Sequence, residues 1–242
     1  MQCVILAAGL GTRMGDLTKE IPKPLLKVGE ESILGHDLRA LPPEIDEVIV
    51  VVGYLGEQIR QQFGASFAGK RITYAEQKEL KGTAHALSLC KELLHERFLV
   101  FHGDDIYEAN DLQEMVRRPL ALLAWEMKID ELESDRHALV KTDKDGQLLD
   151  IVERQPAAKG ELVNTGAYVL DKSFFDYPLA LAVVPAGEFG LPQTFLQMVR
   201  AGAKFDIVRA TFWHKVASAE DLREPSPTRS GIYKNGPPPP RG

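Results

Sequence analysis

The 242 residues carry 29 Lys and Arg against 35 Asp and Glu, a net charge of −6, and 44% of them are hydrophobic. That length supports one large α/β domain with a buried core, and the acidic balance argues against a nucleic-acid surface, which draws on a basic stripe. No apolar run is long enough to span a bilayer, so no membrane partner is expected.

Gln2 to Ala7 reads as a buried strand that runs into a Gly-rich loop, and Asp46 to Val52 reads as a second strand. Between them the pattern predicts a helix over Ser32 to Leu41. Ser32 is its N-cap, Ile33, Leu34, Leu38 and Leu41 form its apolar stripe, and Pro42-Pro43 stops it. The same alternation predicts a helix over Leu55 to Phe63, a strand over Arg71 to Glu76, and a helix over Thr83 to His95 carrying Leu87, Cys90 and Leu94 on one face. Phe98 to Phe101 is then a further strand. Strands separated by helices imply a mostly parallel sheet covered on both faces, a three-layer α/β/α Rossmann-like arrangement.

After Met115 the pattern changes. Strand-like segments follow at Leu120 to Met127, Ala138 to Thr142, Leu148 to Glu153 and Thr165 to Leu170, with Asp145-Gly146 as a hairpin turn. These are expected to add antiparallel strands to the same sheet, making it mixed, before a helix at Leu191 to Ala201 and a last strand at Phe205 to Thr211. The expected domain covers 1–222. Residues 223–242 are Pro-rich, with four consecutive prolines and no periodicity, and read as a disordered tail. Cys3 and Cys90, the only cysteines, lie in apolar patterns and form no CxxC pair. Together with the lack of a secretory signal, they point to a cytoplasmic protein. Nothing in the sequence fixes an oligomeric state.

The chemistry concentrates at the end of the first strand. Leu6-Ala7-Ala8-Gly9-Leu10-Gly11-Thr12-Arg13 puts two glycines and a guanidinium where backbone amides can face a phosphate. A dinucleotide loop of the GxGxxG type would need glycine at Met14. The stretch from Gly64 to Lys70 matches GxxxxGK, but Arg71 stands where a P-loop needs Ser or Thr, and a strand follows instead of a helix.

LAAGLGTRM, followed about ten residues later by Pro22-Lys23-Pro24-Leu25-Leu26, resembles the signature of the sugar-phosphate nucleotidyltransferases, the pyrophosphorylases that make nucleotide sugars. The resemblance implies an enzyme that joins a nucleoside triphosphate to a sugar 1-phosphate with Mg2+ and releases pyrophosphate. Arg13 and Lys23 would be catalytic. Leu6, Ala8, Gly9, Gly11, Thr12, Gln77, Gly82 and Thr83 would bind the nucleotide, with Gln77 reading the base. Asp104, in Gly103-Asp104-Asp105, would ligate the metal. Gly103, Glu153, Arg154 and Asn164 would hold the sugar phosphate, Arg154 standing where the family usually has lysine.

One departure stands out. Where the family commonly has a second acidic metal ligand after Trp213, this chain has Lys215, whose ammonium donates but cannot coordinate a cation. Three outcomes are open: a metal held by Asp104 with phosphate and water, a Lys215 that binds phosphate directly, or a nucleotide-binding regulator without catalysis. A transferase for choline phosphate or another alcohol phosphate is a further alternative. Neither the base nor the sugar can be named.

Overall fold

The computed structural model describes residues 1–129, 137–183 and 186–223. Apart from Arg223, the expected tail lies outside the described residues. The first half runs β1 (Gln2–Ala7), β2 (Lys27–Val28), β3 (Glu31–Ser32), α1 (Ile33–Ala40), β4 (Glu47–Val52), α2 (Gly56–Phe63), β5 (Ser66–Phe67), β6 (Lys70–Glu76), α3 (Thr83–Ser88) and β7 (Arg97–His102). The second half continues with β8 (Asp105–Tyr107), α4 (Ala109–Met115), β9 (Ala121–Glu126), β10 (His137–Thr142), β11 (Leu148–Gln155), β12 (Leu162–Asp171), α5 (Leu191–Arg200), β13 (Asp206–Arg209) and β14 (Trp213–Lys215).

The main sheet has the order β11-β10-β12-β7-β1-β4-β6-β5, with β9 also paired to β12 and β13 paired to β9. The strands β7, β1, β4 and β6 are mutually parallel, whereas β12 runs antiparallel to β7 and brings β9 and β10 in antiparallel. The mixed sheet matches the expectation, with one refinement. The last sheet strand, β13, pairs parallel to β9.

Every residue of β1 is buried, because the two-residue repeat of a strand sends alternate side chains into two different cores. Cys3, Ile5 and Ala7 pack with Leu34 and Leu38 of α1, Ile59 and Phe63 of α2, and Leu112 and Met115 of α4. Val4 and Leu6 pack on the opposite face with Leu87 of α3 and Phe195 and Met198 of α5. Each large side chain so buried contributes roughly 1.5–3 kcal/mol. Three layers result, and the carboxyl end of β1 is fixed from both sides.

The Ser32 side chain accepts from the Gly35 amide at 3.2 Å, the expected N-cap of α1, worth about 1 kcal/mol. The α3 helix ends at Ser88, seven residues before the expected stop at His95. Tighter i to i+3 bonds from Cys90 to Leu87, Lys91 to Ser88 and Leu93 to Cys90 replace the helical ladder. Gln2 seals the end of this stretch: its amide donates to the Leu93 carbonyl at 2.9 Å and its oxygen accepts from the His95 amide at 2.7 Å. Leu87, Cys90 and Leu94 stay buried despite the change.

Candidate active site

The loop after β1 turns sharply at Gly11, whose φ of +66° favours glycine. A Cβ there would also approach Lys23 Cβ and Thr18 Cγ2, both at 3.0 Å, so the glycine permits close packing of the loop on the segment that carries Lys23. The Thr18 hydroxyl donates to the Gly11 carbonyl at 3.0 Å and ties the loop shut. Lys23 opens a short 3-10 turn between Pro22 and Pro24. Its side chain is 7% exposed, and its Nζ meets Asp104 Oδ2 at 2.7 Å. Asp104 sits just past β7, delivered there by the strand next to β1.

Around this ion pair lie two cavities. The first, about 330 Å³, is lined by Leu6, Ala8, Gly9, Gly11, Thr12, Lys23, Gln77, Gly82, Thr83 and Asp104, all expected site residues, together with Leu80, Glu188 and others. The second, about 210 Å³, is lined by Arg13, Asp104 and Asn164, again expected, and by Asp105, Thr165, Gly166, Trp213 and Lys215. His102 and Asp104 line both. Gly103 lines neither; its amide donates to the Leu6 carbonyl at 3.0 Å, and a Cβ there would lie 2.6 Å from Ile5 Cγ2.

Glu153 and Arg154 also line neither cavity. Glu153 accepts from Gln193 Nε2 at 2.7 Å, which turns it toward α5. Arg154 is exposed at a φ of +58°, a left-handed conformation uncommon for a residue with a side chain. The cation that does reach the second cavity beside Arg13 is Lys215.

Gln77 is 5% exposed. Its Nε2 donates to the Gly82 carbonyl at 3.0 Å and meets His85 Nδ1 at 3.1 Å. A carbonyl only accepts, so the amide nitrogen must face Gly82, and His85 Nδ1 then accepts as well. That leaves the Gln77 oxygen as the part of the amide open to a ligand N–H. Asn164 is held differently: its Nδ2 donates to the Tyr168 hydroxyl at 2.7 Å, and its Oδ1 accepts from the Gly166 amide at 3.0 Å.

Charge at the junction is tightly balanced. Burial pushes the Asp104 carboxyl up, but Lys23, with His102 and Arg13, outweighs it and holds the group below its ordinary value. Burial, with Lys23 adding, holds the His102 imidazole below its usual range against the pull of Asp104. Asp105 behaves oppositely, since burial and the neighbouring Asp104 push it up to about 7. Its carboxylate accepts from Trp213 Nε1 at 3.0 Å and from the Val216 amide at 3.1 Å, so it fastens β14 to β8.

Among the described residues, no group of three or more His, Cys, Asp or Glu is placed to hold a metal ion. With Asp105 already engaged, Asp104 is the carboxylate that lines both cavities. A single carboxylate completed by phosphate oxygens and water is a donor set that magnesium accepts, so the residues fit a cation carried in on a polyphosphate. No helix among the described residues is long and apolar enough to cross a membrane.

A three-layer α/β/α sheet with a glycine-bearing loop at the end of its first strand, and two cavities meeting at Asp104, is the frame of a nucleotide-using transferase once the family match is set beside it. The chain belongs to the nucleotidyl transferase family, whose model matches residues 2–228. It is 33% identical over 220 residues to the UTP–glucose-1-phosphate uridylyltransferase AglF of Haloferax volcanii, covering 88% of this chain and 89% of that protein. It is 28% identical over 224 residues to the bifunctional protein GlmU of Methanocaldococcus jannaschii, covering 93% of this chain and only about half, 53%, of that longer relative. Among solved structures, UDP-glucose pyrophosphorylase complexed with UDP-glucose superimposes with a TM-score of 0.75 at 19% identity, covering 91% of this chain and 95% of the other, a likeness of fold.

Proposed function

We propose that the chain condenses a nucleoside triphosphate with a sugar 1-phosphate, forming a nucleotide sugar and pyrophosphate. One observation carries this reading: a loop-lined cavity and a smaller cationic cavity share Asp104, with Lys23 buried against it. The nucleotide occupies the first. Its base donates an N–H to the Gln77 oxygen, and its phosphates run past Gly9, Gly11 and Thr12 toward Lys23. The acceptor occupies the second.

A phosphate oxygen of the acceptor attacks the α-phosphorus in line, the new P–O bond forms, and the bond to the pyrophosphate oxygen breaks. Both ends of the transfer are already anionic near neutral pH, so no protein nucleophile and no proton transfer is needed. Lys23 and Arg13 stabilise charge on the transferred group. Magnesium, held through Asp104, would supply further neutralisation of the phosphate charge.

A choline-phosphate acceptor is the second reading: a quaternary ammonium is recognised by aromatic faces, and Trp213 lines the second cavity together with Arg13 and Lys215. The test is a matrix of nucleoside triphosphates against sugar 1-phosphates and phosphocholine, scored by pyrophosphate release, starting from UTP with glucose 1-phosphate as in the AglF name. Release with a sugar 1-phosphate supports the reading. Nucleotide binding without release for any acceptor would reject catalysis and mark a regulator.

A further inference from the structure

The second cavity is lined by two side-chain cations, Arg13 and Lys215. Neither side chain forms a hydrogen bond or ion pair among the described residues, although both line the cavity with Asp104, and their charges bear on Asp104 and Asp105. The nearby carboxylates do not absorb them. Asp104 is bound to Lys23 at 2.7 Å, and Asp105 accepts from the Trp213 indole and the Val216 amide. Lys215, itself exposed, stands on a strand whose register sets it opposite Asp105. Residues two apart on a strand share a face, which groups Lys215 with Trp213 in the wall of the cavity.

From this arrangement we propose that Lys215, together with Arg13, binds the phosphate of the acceptor and holds it for attack, a role for which Arg154 lies outside both cavities. The inference rests on the nucleotidyl-transfer reading for what the phosphate then does, but not for its binding. In the step itself, one acceptor phosphate oxygen bonds to the α-phosphorus as the bond from α-phosphorus to the bridging oxygen breaks. The total charge of phosphate ester plus triphosphate equals that of nucleotide sugar plus pyrophosphate, so no proton moves. Lys215 and Arg13 lower the repulsion between two polyanions brought into one site.

The test uses the full chain and the Lys215→Ala and Lys215→Arg variants. Each is loaded with α,β-methylene UTP, which cannot react, and titrated by calorimetry with glucose 1-phosphate and separately with inorganic phosphate, which is blind to the sugar. Loss of a charge-assisted hydrogen bond should weaken phosphate binding in Lys215→Ala by about 10- to 100-fold, with arginine restoring most of it. Affinity for the UTP analogue should change less than about twofold, far below one hydrogen bond's worth. Equal phosphate binding in wild type and Lys215→Ala overturns the proposal, as does a wild type that binds neither probe. A parallel loss of nucleotide affinity overturns it too, since the lysine would then be supporting the first cavity. If wild type binds the probes through Lys215 yet releases pyrophosphate with no acceptor, the phosphate site stands and the transfer reading falls.

Discussion

Replacing Gly82 with alanine probes whether the first cavity depends on two backbone segments lying in contact. Gly82 has φ 94° and ψ 178°, a region essentially reserved for glycine, where a side chain costs about 1–3 kcal/mol. The added Cβ would sit 2.4 Å from the Phe189 carbonyl oxygen and 2.7 Å from the Phe189 nitrogen. Both are backbone atoms, so no rotamer relieves the overlap and the segments must separate. Two backbone hydrogen bonds join them, Phe189 N–H to the Lys81 carbonyl at 2.7 Å and Ala84 N–H to the Phe189 carbonyl at 3.0 Å. At about 0.5–1.5 kcal/mol net for each bond, the whole penalty is about 2–6 kcal/mol. For a chain of this size that lowers the melting temperature by about 5–20 °C. The Gly82 carbonyl also anchors Gln77, so nucleotide affinity should fall at least about tenfold, or 1.4 kcal/mol. Thermal melts and calorimetry with a nucleotide analogue measure both. A Gly82→Ala protein that melts within about a degree of wild type and binds nucleotide equally would refute the reasoning.

Lys23→Ala should slow turnover by on the order of 100- to 1000-fold, as for loss of a charge-stabilising donor; wild-type kcat in a folded variant would remove Lys23 from the chemistry. Its effect on stability should be smaller than the roughly 3–5 kcal/mol of a fully buried pair, because Asp104 keeps 34% of its side chain in contact with solvent; denaturant titration checks this. Asp37 is fully buried, and burial, with Asp105 and Asp104 adding, pushes its carboxyl well above the usual range. Its stabilising share is therefore complete below the unfolded pKa, about 3.9, and is lost as pH rises through the higher folded value. Asp37→Asn removes that slope, so the melting temperature of the variant minus that of wild type should increase from pH 5 to pH 8; a flat difference counts against it. Burial pushes the Cys90 thiol up to about 12 and, with Asp37, carries Cys3 well above its ordinary value. The native protein should therefore leave a disulfide reagent unreacted at pH 8 and show both thiols only on unfolding.

Local pattern carried the first half of the fold. The apolar run of β1, the Ser32 cap and the Pro42-Pro43 stop each act within a few residues, and the elements formed where those signals lie. Most residues named for the nucleotide came together for the same reason, since one loop and one adjacent strand supply them. What escaped was set by distant partners. The stretch after α3 is closed by Gln2, 91 residues before the Leu93 carbonyl it meets. The three-residue strand β8 exists because β14 pairs with it, and the Trp213 to Asp105 bond that fastens them spans 108 residues. No periodicity announces so short a pairing. Glu153 and Arg154, expected at the sugar phosphate from the resemblance, are absent from the lining of both cavities; Arg154 adopts a left-handed φ and Glu153 accepts from Gln193. His102, which lines both cavities, ends an apolar strand and gives no signal beyond that position.

The ribbon of β8 and β14 also sets an order of assembly. Every described residue lining the first cavity lies at or before Glu188, while the second is completed by Trp213, Lys215 and Ala217. As the polypeptide leaves the ribosome, the wall meant for the nucleotide is therefore synthesised in full before the wall that faces its reaction partner. A message cut short between these points would leave a protein that lacks one side of its own reaction, however well the other side is made.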